Sequence, residues 1–237
     1  DSRIAEHYRG GVGSVMVRRS VGESGSDSVG HDDRPLWQRV APNFKAAFMA
    51  IEEVEKRLQA FTAALDAAGI DYAIVGGNAV AAWVSTIDPD AVRSTRDVDV
   101  LLRRGDLQRA ADAVRDIGMV AEEALGVPMF MDRENPSAKR AVHVIIADER
   151  VRPENRRPAP SVTASRRSPE GYRVIELPEL VTMKMEANRR HDQVHMEDLL
   201  RIGLIDTELA MGLPEDIRDR LRHVRDTMEW FTEPPKF

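Results

Sequence analysis

A chain of 237 residues with a formal charge of −6, 42% hydrophobic and 31% charged residues can bury a sizeable core, and its balance is neither that of a disordered nor of a fibrous protein. It contains no cysteine, which excludes disulfides, thiolate zinc sites and cysteine nucleophiles together and fits a reducing, cytoplasmic setting. The acidic balance gives no global basicity for nucleic acid, and the longest apolar stretch, residues 73–84, falls short of the ~18 residues a spanning helix needs, so no membrane partner is expected.

Residues 1–35 are rich in glycine and serine without apolar periodicity and read as a flexible tail. Met16 is followed by two arginines but no apolar segment, so no signal peptide is expected. Order is expected from about Leu36. Phe48, Ile51, Val54, Leu58, Phe61 and Leu65 recur three or four apart, which predicts an amphipathic helix over 44–68 that ends at Gly69. The run Tyr-Ala-Ile-Val at 72–75 predicts a short buried strand, followed by Gly76-Gly77 and a helix over 78–84. A second strand is predicted at 97–103. Asp106 reads as the N-cap of a helix that runs to Ile117 and closes at Gly118. Residues 119–120 and 128–131 suit edge strands, 141–147 a third clear strand and 172–177 a fourth. Pro178 opens a helix expected to carry through Lys184 to about Arg190, with further helices at 196–202 and 214–230.

Strands clustered in the middle and helices at both ends predict an α+β fold, a small mixed sheet flanked by helices with a helical C-terminal part. The expected organisation is a tail over 1–35, a core over 36–177 and a helical region over 178–237.

The chemistry concentrates between Gly76 and Asp99. A strand that runs into two glycines and a helix start presents bare backbone N–H groups suited to phosphate oxygens, although a tight turn selects glycine on steric grounds too. Asp97 and Asp99 are two apart in a predicted strand and so share a face, about 6.6 Å between Cα atoms, as divalent-cation ligands do. If the strand extends back, Arg93 and Thr95 join that face in the pattern R-x-T-x-D-x-D.

Gly76-Gly77-x-Ala79 with R-x-T-x-D-x-D resembles the nucleotidyltransferase superfamily with the polymerase-β-like fold. Residues 177–200 resemble the lysine, arginine and aspartate helix of its AbiEii/AbiGii toxin-like and related bacterial branches. The resemblance implies transfer of a nucleoside monophosphate from an NTP to an acceptor hydroxyl on RNA, protein or a small molecule, and an antitoxin partner if the chain is a toxin. It implies that Gly76, Gly77 and Asn78 hold the triphosphate and that Asp97 and Asp99 hold Mg2+ or Mn2+. Arg93 and Thr95 fall on the nucleotide side in the same way, and Lys184, Arg190 and Asp192 line it from the helical part. The chain departs from the family in the third strand, where another carboxylate is usual and His143 stands. Asp148, five residues on, faces the opposite side of a regular strand. A neutral imidazole at 143 accepts a proton or coordinates a softer metal than magnesium; its presence also fits a nucleotide-binding module that has lost catalysis.

Two further features stand outside that pattern. His191 and His195, four apart with Asp192 between them, have the spacing of a zinc-hydrolase helix but with aspartate in place of glutamate and without an evident third ligand downstream. Residues 150–173 hold seven arginines against Glu154 and Glu170, which suits either an RNA acceptor or a solvated connection.

Overall fold

A computed structural model describes residues 44–124 and 126–229. The predicted tail, the start of order near Leu36 and Trp230 lie outside the described residues. The described residues belong to one compact unit.

Helix α1 (Phe44–Ala67) buries Val54, Leu58, Phe61 and Leu65, and the Phe61 ring meets Phe130 at 5.2 Å. Ile51, placed on that stripe by its spacing, is exposed. The helix ends before Gly69, whose left-handed backbone (φ +60) lets Ile70 N–H donate to the Leu65 carbonyl. Strand β1 (Tyr72–Val75) is buried along its whole length because it lies inside the sheet, antiparallel to β2 (Val98–Leu102) on one side and parallel to β7 (Arg173–Ile175) on the other. Helix α2 (Gly76–Ser85) follows at once, and the Trp83 indole N–H ties it back by donating to the Ile175 carbonyl at 3.0 Å.

Helix α3 (Leu107–Ala113) is shorter than expected, giving way to a 3-10 turn over Arg115–Ile117 that closes at left-handed Gly118 (φ +78). Asp106 stands at its N-cap but makes no capping bond; its carboxylate accepts from Arg109 Nη1 instead. The two suggested edge segments are one hairpin, β3 (Met119–Ala124) with β4 (Val127–Asp132). β5 (Val142–Ile146) runs parallel to β2, and a short β6 (Ser165–Arg167), absent from the sequence-based expectation, pairs with β7. The result is a seven-stranded mixed sheet in the order β3-β4-β5-β2-β1-β7-β6, with helices against it: an α+β fold.

Helix α4 (Leu177–Ala187) begins with Pro178 in its first turn. It stops at Asn188, which takes a left-handed conformation (φ +46), and Arg220 of the last helix donates to the freed Met185 and Glu186 carbonyls. α5 (Arg190–Arg201) starts two residues later, earlier than its apolar residues suggest. Its Asp192 carboxylate accepts from the backbone N–H of Arg189 and so caps the first turn. α6 (Thr207–Gly212), capped by Asp206, and α7 (Glu215–Thr227) are the last helices among the described residues. Among the described residues no helix is long and apolar enough to cross a membrane.

Candidate functional site

The site gathers where β1 ends and α2 begins, and the two glycines there answer first to neighbouring side chains. Gly76 is left-handed (φ +66), and a methyl group on it would lie 2.0 Å from Asp99 Oδ2; one on Gly77 would lie 2.7 Å from Thr95 Oγ1. The helix itself starts at Gly76, two residues earlier than predicted. Its N-cap, Val75, supplies no side-chain acceptor, so the first-turn N–H groups have no side-chain cap. Gly76→Ala is expected to destabilise the protein by about 2–5 kcal/mol, combining left-handed strain of roughly 1–2 with overpacking of roughly 1–3. A lowered denaturant midpoint at an unchanged slope would show it.

Asp99 is held by register. It lies opposite Val75 in β1 and opposite His143 in the parallel partner β5. Its carboxylate is 30% exposed, and His143 Nδ1 stands 3.8 Å from Oδ1. Burial raises the Asp99 pKa; the charge His143 carries when protonated and that of Lys184 pull it back, and Asp97 adds to the rise. Asp97 is close enough to be felt there but sits one residue before β2 and is exposed. Its backbone carbonyl accepts from the Asn78 side-chain amide at 2.7 Å, which commits that amide to pinning the acidic segment.

Arg93 does not share a strand face with the aspartates. β1 turns into α2 beyond Val75, so the chain before Asp97 has no ladder partner and leaves the sheet through a 3-10 turn at Pro89–Ala91. The Arg93 guanidinium pairs instead with Asp198 of α5 at 2.7 Å.

From the helical part comes a buried ion pair. Lys184 Nζ donates to Asp192 Oδ1 at 2.9 Å, with the two side chains 7% and 0% exposed. Arg189 Nε reaches the other carboxylate oxygen at 2.8 Å. Burial pushes the Asp192 pKa up, but the bond from Arg189 and the charge of Lys184 outweigh it and hold the carboxyl below its usual range. Asp192 thus supports Lys184 from behind and does not line a cleft, and Arg190, exposed at the start of α5, yields to Arg189 as the arginine of this cluster. Arg189 was legible as the residue three before Asp192 at a helix start; Asp198, the partner of Arg93, and the Ala138 carbonyl, which faces His143 Nε2, carried no sequence signal.

His191 and His195 lie on one face of α5, their rings 6.1 Å apart and edge to face. Burial, then the charge of Lys184, lowers the His195 pKa to about 4, and its Nδ1 is buried without a hydrogen-bond partner. Among the described residues no group of three or more histidine, aspartate or glutamate side chains is assembled for a metal. Among the described residues, therefore, neither the His191–His195 helix face nor the Asp97, Asp99 and His143 set presents three assembled protein ligands.

Four of the seven arginines of residues 150–173 pair with acids outside the segment. Arg157 pairs with Glu186 and Asp216, Arg156 with Asp216, Arg166 with Glu176 while lying over the Trp83 ring, and Arg167 with Asp66. Four acids from outside the segment offset most of its surplus charge, and these arginines fasten it to α1, α4 and α7 and across to Trp83. Asp148, considered as a substitute carboxylate, stands in a left-handed turn (φ +63) beyond the end of β5.

No protein-family model matches the chain, and neither does any curated protein. Among solved structures it is similar to an antigenic nucleotidyltransferase-like protein from Paracoccidioides brasiliensis, at 16% identity and a TM-score of 0.49 over 74% of this chain and 88% of that one. The antibiotic-resistance factor ANT(2'')-Ia in complex with adenylyl-2''-tobramycin is similar at 14% identity and 0.44, over 72% and 96%. The Megavirus polyadenylate synthase follows at 11% and 0.36, over 79% and 35%.

Proposed function

We propose that the chain is a metal-dependent nucleotidyltransferase that moves a nucleoside monophosphate from an NTP to an acceptor hydroxyl on RNA, protein or a small molecule, with a toxin role as one setting for that activity. The observation that carries this reading is the seating of the Asp99 carboxylate on bare Gly76, at the start of a helix without a side-chain cap, with Lys184 close enough to act on it by charge.

The donor set fits a divalent cation. Metal–ligand bonds of about 2.1 Å put two donors of one ion about 3 Å apart at a right angle and about 4 Å apart across it. The 3.8 Å between Asp99 Oδ1 and His143 Nδ1 lies in that interval, and Asp97 is near enough to shift the Asp99 proton affinity. Cations of this kind take few protein ligands and fill their shell with water and substrate phosphate oxygens. When bound, such a cation supplies charge neutralisation at the triphosphate.

The chain's own groups do the rest by position and charge. First-turn N–H groups of α2 receive phosphate oxygens from the side that the Asp99 and Thr95 side chains, packed against Gly76 and Gly77, leave open. Asp99 stands beside that anchor and would repel a triphosphate were its charge not compensated, which ties substrate binding to cation binding. Lys184 offsets negative charge from a fixed place because Asp192 and Arg189 hold it. The acceptor oxygen forms a bond to the α-phosphorus as the bond from that phosphorus to the bridging oxygen breaks. Pyrophosphate leaves with the electron pair, and the hydroxyl proton passes to solvent on the open side, where Asp97 is exposed.

Incubating the purified chain with α-labelled NTPs, a divalent cation and a panel of total RNA, protein extract and small hydroxylic compounds tests the proposal. Label is expected on one acceptor class and is expected to vanish in Asp97→Ala. Labelling that survives unchanged in that variant places the chemistry elsewhere, and NTP binding with no acceptor ever labelled makes the chain a nucleotide-binding module.

A further inference from the structure

His143 stands where an all-oxygen cation site would have a carboxylate, and its surroundings determine which ring nitrogen faces the site. Nε2 lies 3.0 Å from the Ala138 carbonyl oxygen, at the head of the 3-10 turn Ala138–Arg140. A carbonyl only accepts, so Nε2 carries the proton, and in the neutral ring Nδ1 presents its lone pair. That lone pair faces Asp99 Oδ1 at 3.8 Å, too far for a hydrogen bond. Register holds the two side chains side by side on parallel strands, and the ring is 26% exposed on its side chain, open enough for a small ion to reach.

Metal-bound histidines characteristically donate their second ring N–H to a backbone carbonyl or carboxylate, which fixes the tautomer and aims the free nitrogen at the ion. That supporting contact is already made here. A histidine serving only as a charge partner for Asp99 would be expected to turn a protonated nitrogen to within about 3 Å of the carboxylate.

We propose that His143 Nδ1 and the Asp99 carboxylate are joint ligands of the site's divalent cation, and that this nitrogen–oxygen pair makes the site select a first-row transition ion such as Mn2+ or Co2+ over Mg2+. Magnesium binds oxygen donors almost exclusively and loses water reluctantly, whereas imidazole favours the transition series. The inference rests on the nucleotidyltransferase reading for the presence of a cation there, and on nothing in the transfer step.

The test is metal binding to the full chain without nucleotide, by calorimetry with Mn2+, Co2+ and Mg2+ and by pulsed electron paramagnetic resonance of the Mn2+ complex. Expected are Mn2+ and Co2+ binding at least about 10-fold tighter than Mg2+ and a directly coordinated nitrogen in the Mn2+ spectrum. His143→Asp, which restores an all-oxygen set, is expected to remove the nitrogen signal and bring Mg2+ to within a few-fold of Mn2+. The nitrogen signal of the parent protein needs no variant, so a misfolded His143→Asp chain leaves the test intact. Mn2+ bound without a directly coordinated nitrogen coupling, equal preference in the parent and His143→Asp, or no binding by the parent at all overturns the inference. If NTP-dependent labelling with Mg2+ persists in any of those cases, the transferase reading stands; if labelling is absent too, both fall.

Discussion

The Asp99→Asn protein is expected to transfer nucleotide at least about 10²–10³-fold more slowly than the parent, the size of loss found when one preorganised charge-stabilising group is removed from an active site, and at the same time to melt at a higher temperature. The second half follows from the proton affinity of Asp99. Burial raises its pKa above the ordinary 3.8, against the pull of His143 and Lys184. The folded protein thus holds that proton more tightly than the unfolded chain. The favourable contribution is complete below the ordinary value and is lost as pH rises through the raised one, so at neutral pH the ionised carboxylate costs stability. Asparagine preserves the shape against Gly76 and carries no charge. Calorimetric melting at pH 7 and near pH 3 checks the sign: the variant's advantage is expected at pH 7 and is expected to disappear in acid. A divalent cation is expected to raise the melting point of the parent and leave the variant unmoved, because a ligand stabilises only the state it binds. A variant that still transfers nucleotide removes Asp99 from the chemistry whatever its stability does.

Asp192→Ala is expected to cost about 3–5 kcal/mol, the penalty for leaving one member of a buried ion pair without its partner. Lys184 is 6% exposed and Asp192 fully buried, so water cannot replace the lost bond. Against a whole-protein stability of about 5–15 kcal/mol the loss is a large share. The pH signature has the opposite sense to that of Asp99. Asp192 is held below 3.8 by Arg189 and Lys184, so its contribution is present above the ordinary value and fades as pH falls through the lower folded one. The variant is expected to lose the corresponding part of the acid unfolding limb. Pairing Lys184→Met with Asp192→Leu separates structure from function: replacing a buried ion pair by apolar side chains of similar volume is often neutral or stabilising, so folding is expected to recover while transfer does not. Urea unfolding and label incorporation on the same preparations read the two effects. Full activity in the refolded double variant shows that Lys184 serves the fold alone.

The residues behind these expectations were legible to different depths. The Asp97-x-Asp99 pair and the glycines beside it were visible because each is a local pattern, a two-residue alternation and a strand-to-helix junction. Arg93 and Thr95 join the face of the aspartates only if the strand extends back to them, and the structure starts the strand at Val98. Alternation persists only while a neighbouring strand supplies the ladder, and β1 supplies none beyond Val75. The resemblance implies Arg190 where the structure sets Arg189 against Asp192, and the helix expected to carry on to about Arg190 stops at Asn188, which adopts a left-handed turn.

What the chain's own sequence determined is what short-range physics controls: the buried run Tyr72–Val75, the apolar stripe of α1, the bare backbone at Gly76 and Gly77, and the close spacing of two carboxylates. Only the tertiary structure decided that His143 stands opposite Asp99, 44 positions away, that Asp192 closes on Lys184, and that Arg156, Arg157, Arg166 and Arg167 are taken by acids of α1, α4 and α7 and by Glu176. Periodicity and backbone preference act over a few residues and are written in the order of side chains. The partner of a buried charge is set by strand register and helix packing, where the cost of an unpaired group selects among arrangements that local pattern leaves equal.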